Sequence, residues 1–122
     1  MLGLSDRGAI RRLFAALLAA DVPAVLEMAA NQDALGVEPA AMLRGLLETV
    51  HGVTRLKVGG GRDLSLSAEE REAYADWASR LGFAALHRLW QLLLKGHAEV
   101  QAAAMPIEAA EMALLRIIHA SA

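Results

Sequence analysis

The sequence predicts an all-α fold: a compact orthogonal or antiparallel bundle of about six helices, in one domain over residues 1–122, with no sheet. Apolar residues recur at three- and four-residue intervals along most of the chain, which is the period of an amphipathic helix. Apolar residues make up 56% of the chain but aromatic residues only 4%, a balance typical of closely packed helices. Glycine, proline and capping residues divide the chain into six predicted helices at about 6–20, 22–34, 38–57, 68–81, 83–103 and 107–120.

The first two predicted helices are joined so closely that they should form a hairpin. Ser5 or Asp6 can cap the first helix by accepting a backbone N–H bond. Asp21 is expected to cap the second, with Pro23 in its first turn, where a missing N–H costs no hydrogen bond. That helix should end near Gly36.

The third predicted helix opens at Glu38-Pro39 and contains two glycines, Gly45 and Gly52. A glycine inside a helix costs about 1 kcal/mol relative to alanine. We therefore expect another helix to cross closely at each of these positions.

A triple glycine at 59–61 should end the third helix and begin a flexible loop. It does not form a phosphate-binding P-loop, because Arg62-Asp63 follows where that motif requires Lys and then Ser or Thr. Ser67 and Glu70 match a capping box and predict the start of the fourth helix.

The last two predicted helices carry more apolar surface than one buried face needs. In the fifth, a shoulder of side chains that includes Leu92 flanks the main apolar arc; in the sixth, Met112 and Leu115 point away from the core face. These shoulders fit either helices buried on two sides or a subunit interface, where Met is enriched. The predicted contact residues are Ala85, Leu89, Leu92, Gly96, Met112 and Leu115. The predicted core residues are Leu13, Leu17, Leu46, Val50, Leu86, Trp90, Leu93, Leu94, Leu114 and Ile118.

The sequence offers no catalytic, cofactor or metal site. Its four histidines, of which His97 falls on an apolar arc, are not spaced to put two ligands on one helix face. There is no cysteine, and therefore no disulfide or thiolate metal site. Arg7, Arg11 and Arg12 fit a solvated face better than a phosphate contact, and the net charge of −2 argues against a nucleic-acid binder. With no signal peptide and no apolar run of about 18 residues, the expected location is the cytoplasm.

Four segments, in order, resemble one family: LGLSDRGAIRRLFAALLAADVPAVLEM at the start, the stretch from Leu43 to Val58, LWQLLLKGHAEV, and PIEAAEMALLRII near the end. The chain is similar over nearly its full length to the third, or collar, domain of the gamma/tau subunit of the bacterial DNA polymerase III clamp loader. The most specific pieces are Leu94-Lys95-Gly96 and the run from Glu111 to Arg116.

The resemblance implies a helical oligomerisation domain without an enzymatic activity of its own. Its partners would be other gamma/tau copies, delta and delta-prime, joined in a pentameric collar that supports sliding-clamp loading in DNA replication. ATP and zinc would belong to an AAA+ portion from which this segment is excised. No direct contact with nucleic acid or membrane is implied.

Two other functions remain open from the residues alone. A stand-alone helical bundle would bind an apolar small molecule between its Leu- and Met-rich helices, or act as a generic helical adaptor. A DNA-contacting domain would use the three arginines near the start and would lose affinity steeply with salt.

Overall fold

The computed structural model describes residues 7–59 and 66–120, and within them the chain forms six α-helices and no strand. The predicted fold class is therefore confirmed, and the bounds lie close to those expected. The predicted caps at Ser5 or Asp6 and the glycine loop from Gly60 onward lie outside the described residues. The helices are α1 (Arg7–Leu18), α2 (Val22–Ala34), α3 (Pro39–Lys57), α4 (Ala68–Arg80), α5 (Phe83–Ala102) and α6 (Pro106–Ala120).

Two of the predicted helix starts are built as the sequence indicates. The Asp21 carboxylate accepts a hydrogen bond of 3.2 Å from the Ala24 N–H at the start of α2. At the start of α4, the Ser67 hydroxyl accepts from the Glu70 N–H at 3.1 Å, and the Glu70 carboxylate accepts from the Ser67 N–H at 3.0 Å. Each cap satisfies N–H groups that have no partner inside the helix.

The helices α1 and α2 end in the same hydrogen-bonded turn but with different residues at its left-handed position. After α1, Asp21 N–H donates to the Ala16 carbonyl, and the left-handed residue is Ala20, with φ of +56°. After α2, Val37 N–H donates to the Gln32 carbonyl, and the left-handed residue is Gly36, with φ of +89°. Glycine adopts this conformation without steric cost, whereas alanine does not.

The centre of the bundle is formed by α3 and α6. Helix α3 packs against α1, α4, α5 and α6, and α6 packs against α1, α2, α3 and α5. Helix α5 lies along both α3 and α6, and its most extensive contact is with α6. The short connection from Ala103 to Met105 makes α5 and α6 an antiparallel hairpin.

Both glycines inside α3 lie at helix crossings, as predicted. A methyl group at Gly45 would stand 3.0 Å from Ile10 Cγ1 of α1, and one at Gly52 would stand 2.5 Å from Tyr74 Cε2 of α4. A side chain at either position would have to displace these neighbouring side chains, so its absence allows the helices to approach.

Helix α4 is held through buried aromatic and polar contacts. The ring of Trp77 meets that of Phe14 in α1 edge to face, with centroids 4.8 Å apart. Tyr74 is buried, and the centroid of its ring lies 6.1 Å from that of Trp77. Glu70 is also buried, and its carboxylate lies 2.9 Å from Arg7 Nε.

The predicted core is observed with two departures, both on α5. Leu94 is 45% exposed, so its assignment to the core is wrong. Trp90 is only partly buried, although it packs against the core. Successive residues of an α-helix are rotated by about 100° about its axis, so Leu94 faces away from the side on which Leu93 is buried. The predicted residues that are buried are Leu13, Leu17, Leu46, Val50, Leu86, Leu93, Leu114 and Ile118.

None of the described helices is both long enough and apolar enough to cross a bilayer.

Candidate subunit-contact surfaces

One edge of α6 presents apolar side chains to solvent. Met112 is 68% exposed and Met105, just before the helix, is 60% exposed. Glu108 is exposed and Leu115 is partly buried. These four residues, which we call the α6 edge, are spaced by three, four and three, so they follow one side of the helix. The opposite side of α6 is buried through Ala110, Leu114 and Ile117 among others, so the edge is held rigidly.

The predicted contact residues of α5 divide between surface and interior. Ala85 is exposed, and Leu92 is partly buried against the core. Leu89 is only 6% exposed, and Gly96 is buried where α5 crosses α6. Neither Leu89 nor Gly96 is accessible to another subunit in this structure, so the prediction that these two residues form part of the contact surface is wrong.

An ion pair beside the α6 edge links α5 to α6. Arg116 Nη2 lies 2.7 Å from Glu99 Oε1, and its Nη1 donates to Glu99 Oε2 at 3.1 Å. The hydrogen bonds from Arg116 lower the pKa of Glu99, and the hydrogen bonds to Glu99 raise the pKa of Arg116. A two-bond pair of this kind fixes the relative position of the two helices as well as contributing energy.

A second candidate surface is an apolar groove between α3 and α5. It has a volume of about 380 Å³ and is lined by Val50, His51, Thr54, Phe83, Leu86, His87 and Trp90. We call this the α3–α5 groove. At one end, Lys57 Nζ lies 5.4 Å from the centroid of the Phe83 ring and donates a hydrogen bond of 3.0 Å to the Ala78 carbonyl of α4. Near the middle, the His51 and Trp90 rings have centroids 6.5 Å apart.

The sequence reasoning missed this groove, although α5 held a signal for it. Phe83, His87, Trp90 and Leu94 are spaced by four, three and four and follow one side of α5. Phe83 is 55% exposed, and His87 is exposed as well. The same spacing is found in helices that dock on other helices.

The histidines and arginines singled out in the sequence have structural surroundings of their own. His97 is partly buried, and its Nε2 has no hydrogen-bond partner within the described part of the chain. Arg7 pairs with Glu70, and Arg11 Nη2 lies 3.5 Å from Glu69 Oε2. In residues 7–59 and 66–120, no three His, Asp or Glu side chains are grouped so that they could hold a metal ion.

Comparison with known proteins gives one family. The family model for DNA polymerase III subunits gamma and tau domain III matches residues 1–122, the whole of the chain. A search of curated proteins gave no match.

Proposed function

Because the chain belongs to the family of domain III of the DNA polymerase III gamma and tau subunits, we propose that it is the subunit-assembly domain of the clamp loader. In this proposal it joins copies of gamma/tau with delta and delta-prime in a pentameric collar that supports the loading of sliding clamps. The domain holds the subunits together, and nucleotide chemistry belongs to an AAA+ portion outside these residues.

The observation that carries the proposal is the exposure of Met112, at 68% of its surface, on a helix whose opposite face is fully buried. Met112 and Met105 together give an exposed apolar surface, and the burial of that surface by a partner is favourable. Methionine also adapts its shape to different partners, which suits a domain that must contact subunits of more than one kind.

The rigidity of the α5–α6 hairpin supports the same function. Gly96 brings the two helix backbones together, and the Glu99–Arg116 pair fixes their relative position. A contact surface on a rigid element loses little conformational entropy when it binds. Such a surface can hold subunits in a fixed arrangement while other parts of the assembly move.

The test is reconstitution of the chain with its delta and delta-prime subunits, followed by size-exclusion chromatography with light scattering. We expect Met112→Glu to keep its helical content and melting temperature but to lose assembly, because a carboxylate would be desolvated at the interface. Leu35→Glu is the matched control, since Leu35 is 70% exposed but lies beyond the end of α2. Normal assembly by Met112→Glu, or equal loss with Leu35→Glu, would contradict the proposal.

A further inference from the structure

The α3–α5 groove has the composition of a site for a small organic molecule. Most of its lining is apolar or aromatic: Val50 and Leu86 are buried, whereas Phe83 and Trp90 keep part of their surface exposed. Proteins bind small molecules in apolar clefts of about 300–1,000 Å³ that carry a few polar groups. The groove, at about 380 Å³, lies at the lower end of this range. A molecule of one or two rings would therefore fit.

The groove is small for a protein-binding surface. On α5 it extends from Phe83 to Trp90, which corresponds to a rise of about 10 Å along the helix. Seven residues line it, whereas a stable protein–protein interface uses about 20–30 residues on each side. The dimensions of the groove thus favour a small molecule over a protein as its occupant.

The polar groups of the groove suit an anion. The imidazoles of His51 and His87 come from its two walls, and each ring can donate a hydrogen bond. The Thr54 hydroxyl already donates to the Val50 carbonyl at 2.7 Å. Among the residues that the structure describes, no Asp or Glu lines the groove. An anionic group in the groove would therefore meet hydrogen-bond donors without repulsion from a lining carboxylate.

Lys57 adds a positive charge at one end of the groove. Its Nζ lies 5.4 Å from the centroid of the Phe83 ring and 3.0 Å from the Ala78 carbonyl oxygen, so the ammonium group is held in place. An ammonium group has three N–H donors, so Lys57 can donate to a ligand as well as to Ala78. Because Lys57 is partly buried, salt screens its attraction for an anion less than it would at a fully exposed position.

We propose that the α3–α5 groove binds a small aromatic anion, a molecule of one or two rings that carries a carboxylate or sulfonate group. Its ring would lie against Trp90 in the offset or edge-to-face contact that aromatic rings favour. Its anionic group would lie at the Phe83 end, near Lys57. This ligand site is separate from the proposed assembly function and does not depend on it.

Naphthoate is the probe, and the naphthalenemethanol of the same isomer is its neutral counterpart. The chain has two tryptophans, so isotope-labelled protein gives two indole N–H signals in nuclear magnetic resonance spectra, which a Trp77→Phe variant assigns. We expect naphthoate to shift the Trp90 signal and to leave unchanged that of Trp77, which is buried in the core. Titration should give a Kd about tenfold lower for naphthoate than for naphthalenemethanol, because Lys57 attracts only the anion.

Two variants test the role of charge in the groove. Lys57→Met removes the positive charge and should weaken naphthoate binding about tenfold without weakening that of naphthalenemethanol. His87→Glu places a carboxylate at an exposed position of the lining. It should also weaken naphthoate about tenfold, which keeps the test decisive if Lys57→Met lowers the stability of the fold. Leu35→Glu adds the same negative charge at an exposed residue outside the lining and should bind naphthoate as wild type does.

Several results would overturn this inference. These are an unchanged Trp90 signal at millimolar naphthoate, equal affinities for naphthoate and naphthalenemethanol, and an equal loss of affinity in Leu35→Glu. A Trp90 signal that delta or delta-prime shifts and naphthoate does not would assign the groove to subunit contact instead. The assembly test with Met112→Glu does not use the groove, so the two proposals can fail separately.

Discussion

Gly96 of α5 lies against Ala113 of α6 so closely that a methyl group at position 96 would stand 2.8 Å from the Ala113 Cβ. The same methyl would stand 3.2 Å from Leu43 Cδ1 of α3. The point where α5 meets both central helices thus depends on the absence of one side chain.

We expect Gly96→Ala to lower the free energy of unfolding by about 1–2 kcal/mol, because overpacking outweighs the gain in helix propensity. Urea denaturation provides the measurement. Ala113→Gly removes the closer of the two obstructing atoms, so the double variant should lose less stability than the two single variants summed. Strict additivity would show that the close approach does not limit this position.

Ala20→Gly should stabilise the protein by about 0.5–1 kcal/mol, because alanine is strained at positive φ and glycine is not. Thermal unfolding detects a change of this size. The matched control is Ala19→Gly one residue earlier, which should destabilise because Ala19 does not have a positive φ and glycine there only adds freedom to the unfolded chain. A fall in melting temperature for both variants would contradict the assignment of strain to Ala20.

The ionisation of Tyr74 should make the free energy of unfolding depend on pH in the alkaline range. Burial raises the pKa of its hydroxyl above the ordinary value of 10.0. The protonated form is therefore favoured in the folded state: its contribution to stability is complete below pH 10 and is lost as the pH rises through the raised pKa. Because Tyr74 is the only tyrosine, ultraviolet difference spectroscopy should show its phenol ionising at higher pH in folded than in urea-unfolded protein. Tyr74→Phe is the control for other groups that ionise in this range, and coincident folded and unfolded titrations would refute the prediction.

The Glu99–Arg116 pair should contribute modestly, since the Glu99 side chain is 42% exposed and water screens the pair. A double-mutant cycle with Glu99→Gln and Arg116→Gln should give a coupling free energy of about 0.5–1 kcal/mol. Because the pKa of Glu99 is lowered by Arg116, this stabilisation is present above the ordinary carboxyl pKa and is lost as the pH falls through the lowered one. In the acid range, the free energy of unfolding should depend less steeply on pH for Glu99→Gln than for wild type. An unchanged dependence on pH would count against the pair.

The positions of the helices could be predicted from the sequence because each helix carries its own signals. The Ser67–Glu70 capping box and the prolines in first turns act locally, so no knowledge of neighbours is needed. The glycines Gly45 and Gly52 also indicated helix crossings correctly, since their cost inside a helix requires compensation.

The division between core and surface on α5 could not be predicted in the same way. A single helix shows which residues share a side but not which neighbours cover that side. Helix α6 covers Gly96, which the sequence placed on the contact surface, whereas Leu94, which the sequence placed in the core, is 45% exposed. The α3–α5 groove depends on two helices brought together only by the tertiary fold, and no local pattern shows their separation.

The two tryptophans of the chain report on different events. Trp77 is 5% exposed and packs against Phe14, so its emission follows the integrity of the bundle. Trp90 lies in the α3–α5 groove, partly accessible to water, so its emission changes when the groove is filled. A Trp77→Phe variant would keep a single tryptophan, which lies at the groove. A shift of its emission to shorter wavelength would signal that a partner occupies the groove, without an attached label.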